Sequence, residues 1–278
     1  MEDNRQYIAV FDSGVGGISV LRHLRREMPG ERFLYYGDSA NAPYGTRPTE
    51  EIRTLTLAAA EKLWAQGAKA LVVACNTATS AAIETLRSRW PDRIIVGIEP
   101  ALKPAADRFA GGTIGIMATP ATLREEKFRH LLERFAQTCR VIPIPAPGLV
   151  ELIEQGLGDS PAAEALLRDL LAPYKDSLDA LVLGCTHYPF AANCISRILG
   201  SDVPLLDGSE GTARETHRRL AQAGLLEQGN GEVIFENSIP NLQMQSLSQS
   251  LLTQPMTHEE DTKNQQAEQT EGRILRDT

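Results

Sequence analysis

Short runs rich in Val, Ile and Leu recur from Tyr7 to about Gly208, each closed by Gly, Ser, Thr or Asp and followed by a stretch with helical spacing. That alternation predicts βαβ units around a parallel sheet, because strands covered by helices on both faces read as continuous apolar runs rather than alternating ones. The first four runs are YIAVFDSG, RFLYYGDS, ALVVACNT and RIIVGIEP; the next four are TIGIMATP, RVIPIPAPG, ALVLGCTH and VPLLDGSE. The third member of each set carries the frame A-L-V-x-x-C, at Ala70 to Cys75 and again at Ala180 to Cys185, a separation the size of one small α/β domain. The pattern predicts an α/β fold of two similar doubly wound parallel-sheet domains related by pseudo-two-fold symmetry, with the active site in the cleft between them. The first domain is expected over 1–98 with a returning segment 210–254, and the second over 99–209.

Within the returning segment, GSEGTARETHRRLAQAGLL (208–226) predicts a capped amphipathic helix that starts at Ser209, with Thr212 and Glu215 in its first turns and a stop at Gly224. VIFENS offers one more strand, and NLQMQSLSQSLLTQ is polar with scattered leucines. Residues 255–278 carry six acids and three bases among amides, which reads as a disordered polar tail.

Composition narrows the class. With 278 residues of which 42% are hydrophobic, the chain can bury real cores and is not disordered as a whole. A formal net charge of −8 argues against general affinity for nucleic acid or anionic membrane. Four cysteines (Cys75, Cys139, Cys185, Cys194) are too sparse for a disulfide framework, and no C-x-x-C pair suggests structural zinc. No secretory signal pattern opens the sequence and no run approaches 18 apolar residues, so the expectation is a cytoplasmic protein with reduced thiols.

In open parallel sheets, ligands bind beyond the carboxyl ends of the strands. Those ends carry Asp12-Ser13-Gly14, Asp38-Ser39, Cys75-Asn76-Thr77, Thr119-Pro120-x-Thr122, Cys185-Thr186-His187 and Asp207-Gly208-Ser209. A thiol placed between a strand and a helix N-terminus sits in a field that favours its thiolate. Cys75 and Cys185 hold that position in matched places, whereas Cys139 and Cys194 read as packing thiols. Two thiols facing one cleft could remove a proton from one side of a carbon and deliver one to the other, the logic of a two-base racemase or epimerase. No Lys stands at these strand ends, which speaks against a pyridoxal Schiff base.

Other residues keep two readings each. Asp12-Ser13-Gly14-Val15-Gly16-Gly17 is an anion-binding loop or a tight βα turn. His187 polarises Cys185 or is an ordinary structural histidine. Either Glu151 or Glu154 faces the cleft, or both lie on a solvated helix face. Asn41-Ala42-Pro43-Tyr44-Gly45 is a connector or a substrate lid. Ser13, Asn76, Thr77 and Thr186 offer donors to a carboxylate or serve as helix caps.

Together, F-D-S-G-V-G-G, G-D-S-A-x-x-P-Y-G, V-A-C-N-T-A, G-I-x-A-T-x-x-T, P-G-L-V-E-L-I-E-x-G and L-G-C-T-H-Y-P resemble, in order from about residue 7 to 215, the glutamate racemase family of the aspartate/glutamate racemase superfamily. The resemblance implies cofactor-independent and metal-free interconversion of L- and D-glutamate, supplying D-glutamate for peptidoglycan. It implies Cys75 as the base toward D-glutamate, assisted by Asp12, and Cys185 as the base toward L-glutamate, assisted by His187 and Glu154. It further implies that Asp12, Ser13, Pro43, Tyr44, Gly45, Asn76, Thr77, Thr119, Thr122, Thr186 and His187 hold the substrate. The partners implied are that small molecule and a second copy in a homodimer, with neither membrane nor nucleic acid. The chain departs from the family at Ser39 and Asn41, where Thr and Arg or Val are frequent, and at Ala146, where Cys is frequent. It departs again in FENSIPNLQMQSLSQSLL, which replaces a T-S-G-D strand end and a closing amphipathic helix. The competing readings are a racemase of another acidic amino acid such as aspartate, a cysteine hydrolase built on Cys185 and His187, and a two-lobed binding module. The hydrolase leaves Cys75 unexplained, and the binding module needs no thiols.

Overall fold

Each apolar run becomes a strand; those in the interior of the sheets are buried along nearly their whole length because helices cover both faces, while the outer strands are only partly buried. The computed structural model describes residues 6–239 and 242–254; the expected polar tail 255–278 lies outside the described residues. The first unit runs β1 (Tyr7–Asp12), α1 (Ile18–Glu27), β2 (Phe33–Gly37), α2 (Thr49–Ala65), β3 (Ala68–Val73), α3 (Asn76–Arg89) and β4 (Ile94–Gly97). The second runs α4 (Leu102–Arg108), β5 (Thr113–Ala118), α5 (Pro120–Arg124), α6 (Glu126–Phe135), β6 (Arg140–Pro145), α7 (Leu149–Glu154), α8 (Pro161–Leu171), β7 (Ala180–Leu183), α9 (Ala192–Leu199) and β8 (Leu205–Asp207). The chain then returns through α10 (Ser209–Ala223), β9 (Val233–Asn237) and α11 (Leu242–Thr253).

Two all-parallel sheets result, with strand orders β4-β3-β1-β2-β9 and β6-β5-β7-β8. Setting β5 to β8 against β1 to β4 gives one neighbour order, second-first-third-fourth, in both. This is the repeat that the shared A-L-V-x-x-C frame anticipates. In such a sheet successive connections reverse direction between the first and third strands, opening a crevice beyond their carboxyl ends. Asp12 and Cys75 stand there in one sheet, and Thr119 and Cys185 in the other. One apolar cluster continues across both units, from Val10, Ile18 and Val72 to Met117, Leu183 and Tyr188, so the crevice has a shared floor.

The returning segment is where the structure adds most. The helix expected at 208–226 forms and starts at Ser209 as expected; the Asp207 carboxylate accepts from the Ser209 N–H at 2.7 Å. Gly224 ends it in the left-handed conformation (φ +67°), where glycine carries no Cβ penalty. β9 pairs in parallel with β2 as a strand without counterpart in the second sheet. The polar-looking 242–253 segment is a helix, with Ser248 and Leu251 buried against α1 and the Arg22 guanidinium on the Gln254 carbonyl at 2.5 Å.

Between α10 and β9 the chain is fastened by a buried ion pair. Lys69 of β3 and Glu31 are each 1% exposed and lie 2.7 Å apart; the ammonium also reaches Glu227 at 3.2 Å and the Leu225 carbonyl at 2.9 Å. Glu31 in turn accepts from the Glu227 N–H at 2.8 Å. Removing one partner of a buried pair strands the other charge, so Lys69→Met should destabilise the fold by about 3–5 kcal/mol. Most of that loss should return in Lys69→Met/Glu31→Leu, measured by urea denaturation; equal stability of the single and double variants would contradict the assignment.

Candidate active site

Cys75 ends β3 and caps α3: its sulfur accepts from the Ala78 N–H at 3.4 Å and lies 3.5 Å from the Ser13 hydroxyl. It is 5% exposed. Burial pushes this thiol up to about 12; the nearby Asp12 and the Cys185 thiol push the same way, against the hydrogen bonds from Ser13 and Ala78. The helix-terminus field expected to favour a thiolate is therefore outweighed by desolvation, and at neutral pH Cys75 is a protonated thiol.

Cys185 follows β7 and meets a different environment. Its sulfur lies 3.7 Å from His187 Nδ1, and His187 Nε2 lies 2.6 Å from Glu154 Oε1. Burial opposes a charge on this ring, but hydrogen bonds to Cys185 and Glu154, with the charges of both, raise its proton affinity well above the ordinary histidine range. The carboxylate fixes the ring so that Nδ1 faces the sulfur, the orienting arrangement of a carboxylate–histidine–nucleophile set. Of the two glutamates left open by the sequence, Glu154 makes this contact, whereas Glu151 is exposed. The two thiols thus hold matched positions in unequal surroundings: a sulfur hydrogen-bonded to a carboxylate-held histidine on one side, and a buried, protonated thiol on the other.

Asp12 is the last residue of β1. It is wholly buried, accepts from the Gly14 N–H at 2.8 Å and receives the Thr186 hydroxyl at 2.9 Å. Burial raises its carboxyl above the usual carboxylate range despite the opposing effect of His187 and these two donors. The glycine-rich loop binds anions, but they are the protein's own carboxylates: Gly14 donates to Asp12 and the Val15 N–H donates to Glu154 at 2.7 Å. Its glycines are spaces for catalytic side chains. A Cβ on Gly14 would lie 1.9 Å from Glu154 Oε1, one on Gly16 would lie 2.3 Å from His187 Nδ1, and one on Gly17 would lie 2.7 Å from Asp12 Cβ.

Hydroxyls line the rest of the crevice. Thr77 at the start of α3 meets Thr119 and Thr122, each at 3.1 Å, and those two lie 3.0 Å apart, a triangle bridging the two units. Beside it the Asn76 Oδ1 atom is buried without a hydrogen-bond partner among the described residues, a cost that ligand donors would remove. The Pro43-Tyr44-Gly45 stretch is packed inward: Tyr44 is 1% exposed and donates to Asp38 at 2.7 Å, and Gly45 lies against Thr119. Tyr44 is thus a buried anchor, and its hydroxyl is already committed.

Several contributors were not singled out as site residues in the sequence. Tyr35 donates to the Gly14 carbonyl at 2.7 Å and Ser19 to the Thr186 carbonyl at 3.0 Å, each holding a loop that carries a functional side chain. Ser39 and Asn237 connect to Glu154 from outside. Only their places beside strand ends could have marked them. Cys139 is buried as a packing thiol, while Cys194, also buried, donates to Asp159 at 3.0 Å.

With this geometry in view, the comparisons with known proteins agree. Residues 16–216 match the family model described as Asp/Glu/Hydantoin racemase. The glutamate racemase of Clostridium acetobutylicum is 48% identical over 248 residues, covering 88% of this chain and 96% of the relative. The crystal structure of glutamate racemase from Francisella tularensis in complex with D-glutamate superposes with a TM-score of 0.78 at 28% identity, covering 92% of this chain and 96% of that one. The Escherichia coli glutamate racemase, solved with L-glutamate and the activator UDP-MurNAc-ala, gives 0.79 at 29% identity, covering 89% and 96%.

Proposed function

Because the chain belongs to the glutamate racemases of the Asp/Glu/hydantoin racemase family, an isomerase family, we propose that it inverts glutamate at Cα by a two-base exchange between Cys185 and Cys75. The observation that carries this reading is the pair of thiols at equivalent strand ends with different neighbours, Cys75 against Ser13 and the Ala78 N–H and Cys185 against the His187–Glu154 pair. Bound L-glutamate loses its Cα proton to Cys185, whose own proton is shared with His187 while Glu154 supports the resulting imidazolium. The Cys75 thiol delivers a proton to the opposite face, giving D-glutamate. The reverse direction starts from the Cys75 thiolate, which Ser13 and the Ala78 N–H stabilise. The substrate ammonium adds a positive charge that favours the same thiolate.

Substrate is held without Lys or Arg among these site residues. The Thr77, Thr119 and Thr122 hydroxyls, Ser13, Thr186 and the Tyr44 and Gly45 backbone N–H groups, set in place by Pro43, serve the carboxylates, while Asp12 and Asn76 Oδ1 accept from the ammonium. The D-glutamate formed serves peptidoglycan synthesis in the cytoplasm, and the working form is a homodimer; these points rest on the family resemblance.

Incubation with L-glutamate in D2O tests the reading directly. NMR should show deuterium entering Cα together with growth of the D-enantiomer, and an unchanged Cα–H signal at high enzyme concentration would refute it. The unequal thiols give a second test. At pH 7 a thiol with a pKa of about 12 is ionised in only about one molecule in 10^5. With Cys185 hydrogen-bonded to His187 instead, iodoacetamide should alkylate it at least tenfold faster than Cys75, followed by peptide mass spectrometry; faster labelling of Cys75 would contradict the unequal surroundings of the two thiols.

A further inference from the structure

The ninth strand ends beside the catalytic crevice, although it has no counterpart in the second sheet. At that end Asn237 Nδ2 donates to Ser39 Oγ at 2.9 Å, and Ser39 Oγ donates to Glu154 Oε2 at 3.4 Å. The orientation of the Asn237 amide is fixed, because its Oδ1 accepts from the Ile239 N–H at 2.8 Å. The neighbouring Ser238 secures the same junction, accepting from the Ala40 N–H at 2.8 Å and donating its own N–H to the Gly37 carbonyl at 2.9 Å.

We propose that Asn237 is a positioning residue for the Cys185 half of the reaction, acting through Ser39 and Glu154 on His187. The direction of each bond gives the reason. By donating to Ser39 Oγ, the amide occupies a lone pair there and leaves the hydroxyl proton to point at Glu154. Glu154 is then held by three donors: Ser39 on Oε2, and the Val15 N–H and His187 Nε2 on Oε1. A carboxylate held by several donors is fixed in orientation. That in turn presents His187 Nδ1 to the Cys185 sulfur. No corresponding chain reaches Cys75, whose neighbours are Ser13, the Ala78 N–H and Asp12. The returning segment, which departs from the family pattern at FENS, thus contributes to one thiol and not to the other.

The proposal rests on the two-thiol reading, and its test separates the two. Racemisation cannot distinguish the thiols, because each turnover uses both. Elimination from the L- and D-forms of 3-chloroglutamate can: one thiolate removes the Cα proton, the Cβ–Cl bond breaks with loss of chloride, and the enamine tautomerises and is hydrolysed to 2-oxoglutarate and ammonium. No acid on the opposite face is needed. Cys75→Ala and Cys185→Ala serve as controls; each should retain elimination from one enantiomer only, and if both lose both, the two-thiol reading itself fails.

With the controls in place, Asn237→Asp keeps the acceptor for Ile239 and replaces the donor to Ser39 by a charged acceptor, so the Ser39 proton turns away from Glu154. It should slow elimination from the Cys185-dependent enantiomer about tenfold and leave the Cys75-dependent one within twofold. Ser39→Ala should reproduce the selective loss without touching β9, and Ser39→Thr, which keeps a hydroxyl, should restore parent rates within twofold. Equal losses with both enantiomers, or no loss with either, would overturn the proposal, since a general effect on folding or domain packing does not discriminate between enantiomers.

Discussion

Replacing either Cys75 or Cys185 by alanine should lower racemisation of glutamate by about 10^3-fold or more in both directions, since removal of a positioned acid or base forfeits at least the general acid–base factor. Each turnover needs one thiol as base and the other as acid, and the equilibrium constant between enantiomers is unity, so a loss confined to one direction of kcat/KM is thermodynamically impossible. The measurement is circular dichroism of L- and D-glutamate solutions over time, with unfolding curves to show that the variants fold. Both thiols are at most 6% exposed, and each variant removes a single side-chain heavy atom at the edge of the crevice, so folding should be little affected. A Cys75→Ala protein racemising near the parent rate would refute the two-base assignment. Retention of activity in Cys185→Ala would instead show that His187 acts on substrate directly.

Gly16→Ala should cost nearly as much, although it adds only a methyl group far from any reacting atom in the sequence. The new Cβ would lie 2.3 Å from His187 Nδ1 and 2.5 Å from Cε1, closer than real contacts allow, so the ring must leave its bond to Cys185. Losing the orienting base should reduce kcat by about 10^2–10^4-fold while KM changes less, because glutamate is held chiefly by other groups. Gly211→Ala in α10 is the control, with nothing within 4 Å of the added carbon; it should keep full activity and stabilise the helix by about 0.5–1 kcal/mol. If Gly16→Ala retains parent activity, His187 does not need its observed position.

Much of this protein is legible before folding is considered. The apolar runs predict all the parallel strands of the repeated core, and the shared frame around Cys75 and Cys185 predicts that both thiols end the same strand of a repeated unit. Both inferences rest on local properties: the spacing of apolar positions follows strand burial, and a strand end in a parallel sheet has a fixed place relative to the crevice. Less legible was the returning segment. β9 and α11 draw their stability from β2 and α1 rather than from strong patterns of their own, and the cap of α10 comes from Asp207 because the turn before it folds back.

What the sequence determined by itself was therefore the fold, the repeat and the identity of the two thiols. Tertiary structure alone decided how those thiols differ. Cys75 and Cys185 stand in matching frames, yet one is desolvated next to Asp12 and the other is joined to His187 and Glu154. The choice of Glu154 over Glu151, the use of Gly14 and Gly16 as room for side chains from the other unit, and the reach of Asn237 to Ser39 were settled there too. The physical reason is that proton affinity depends on burial and on charges and donors a few ångströms away, and these neighbours come from segments up to about two hundred residues distant in the chain.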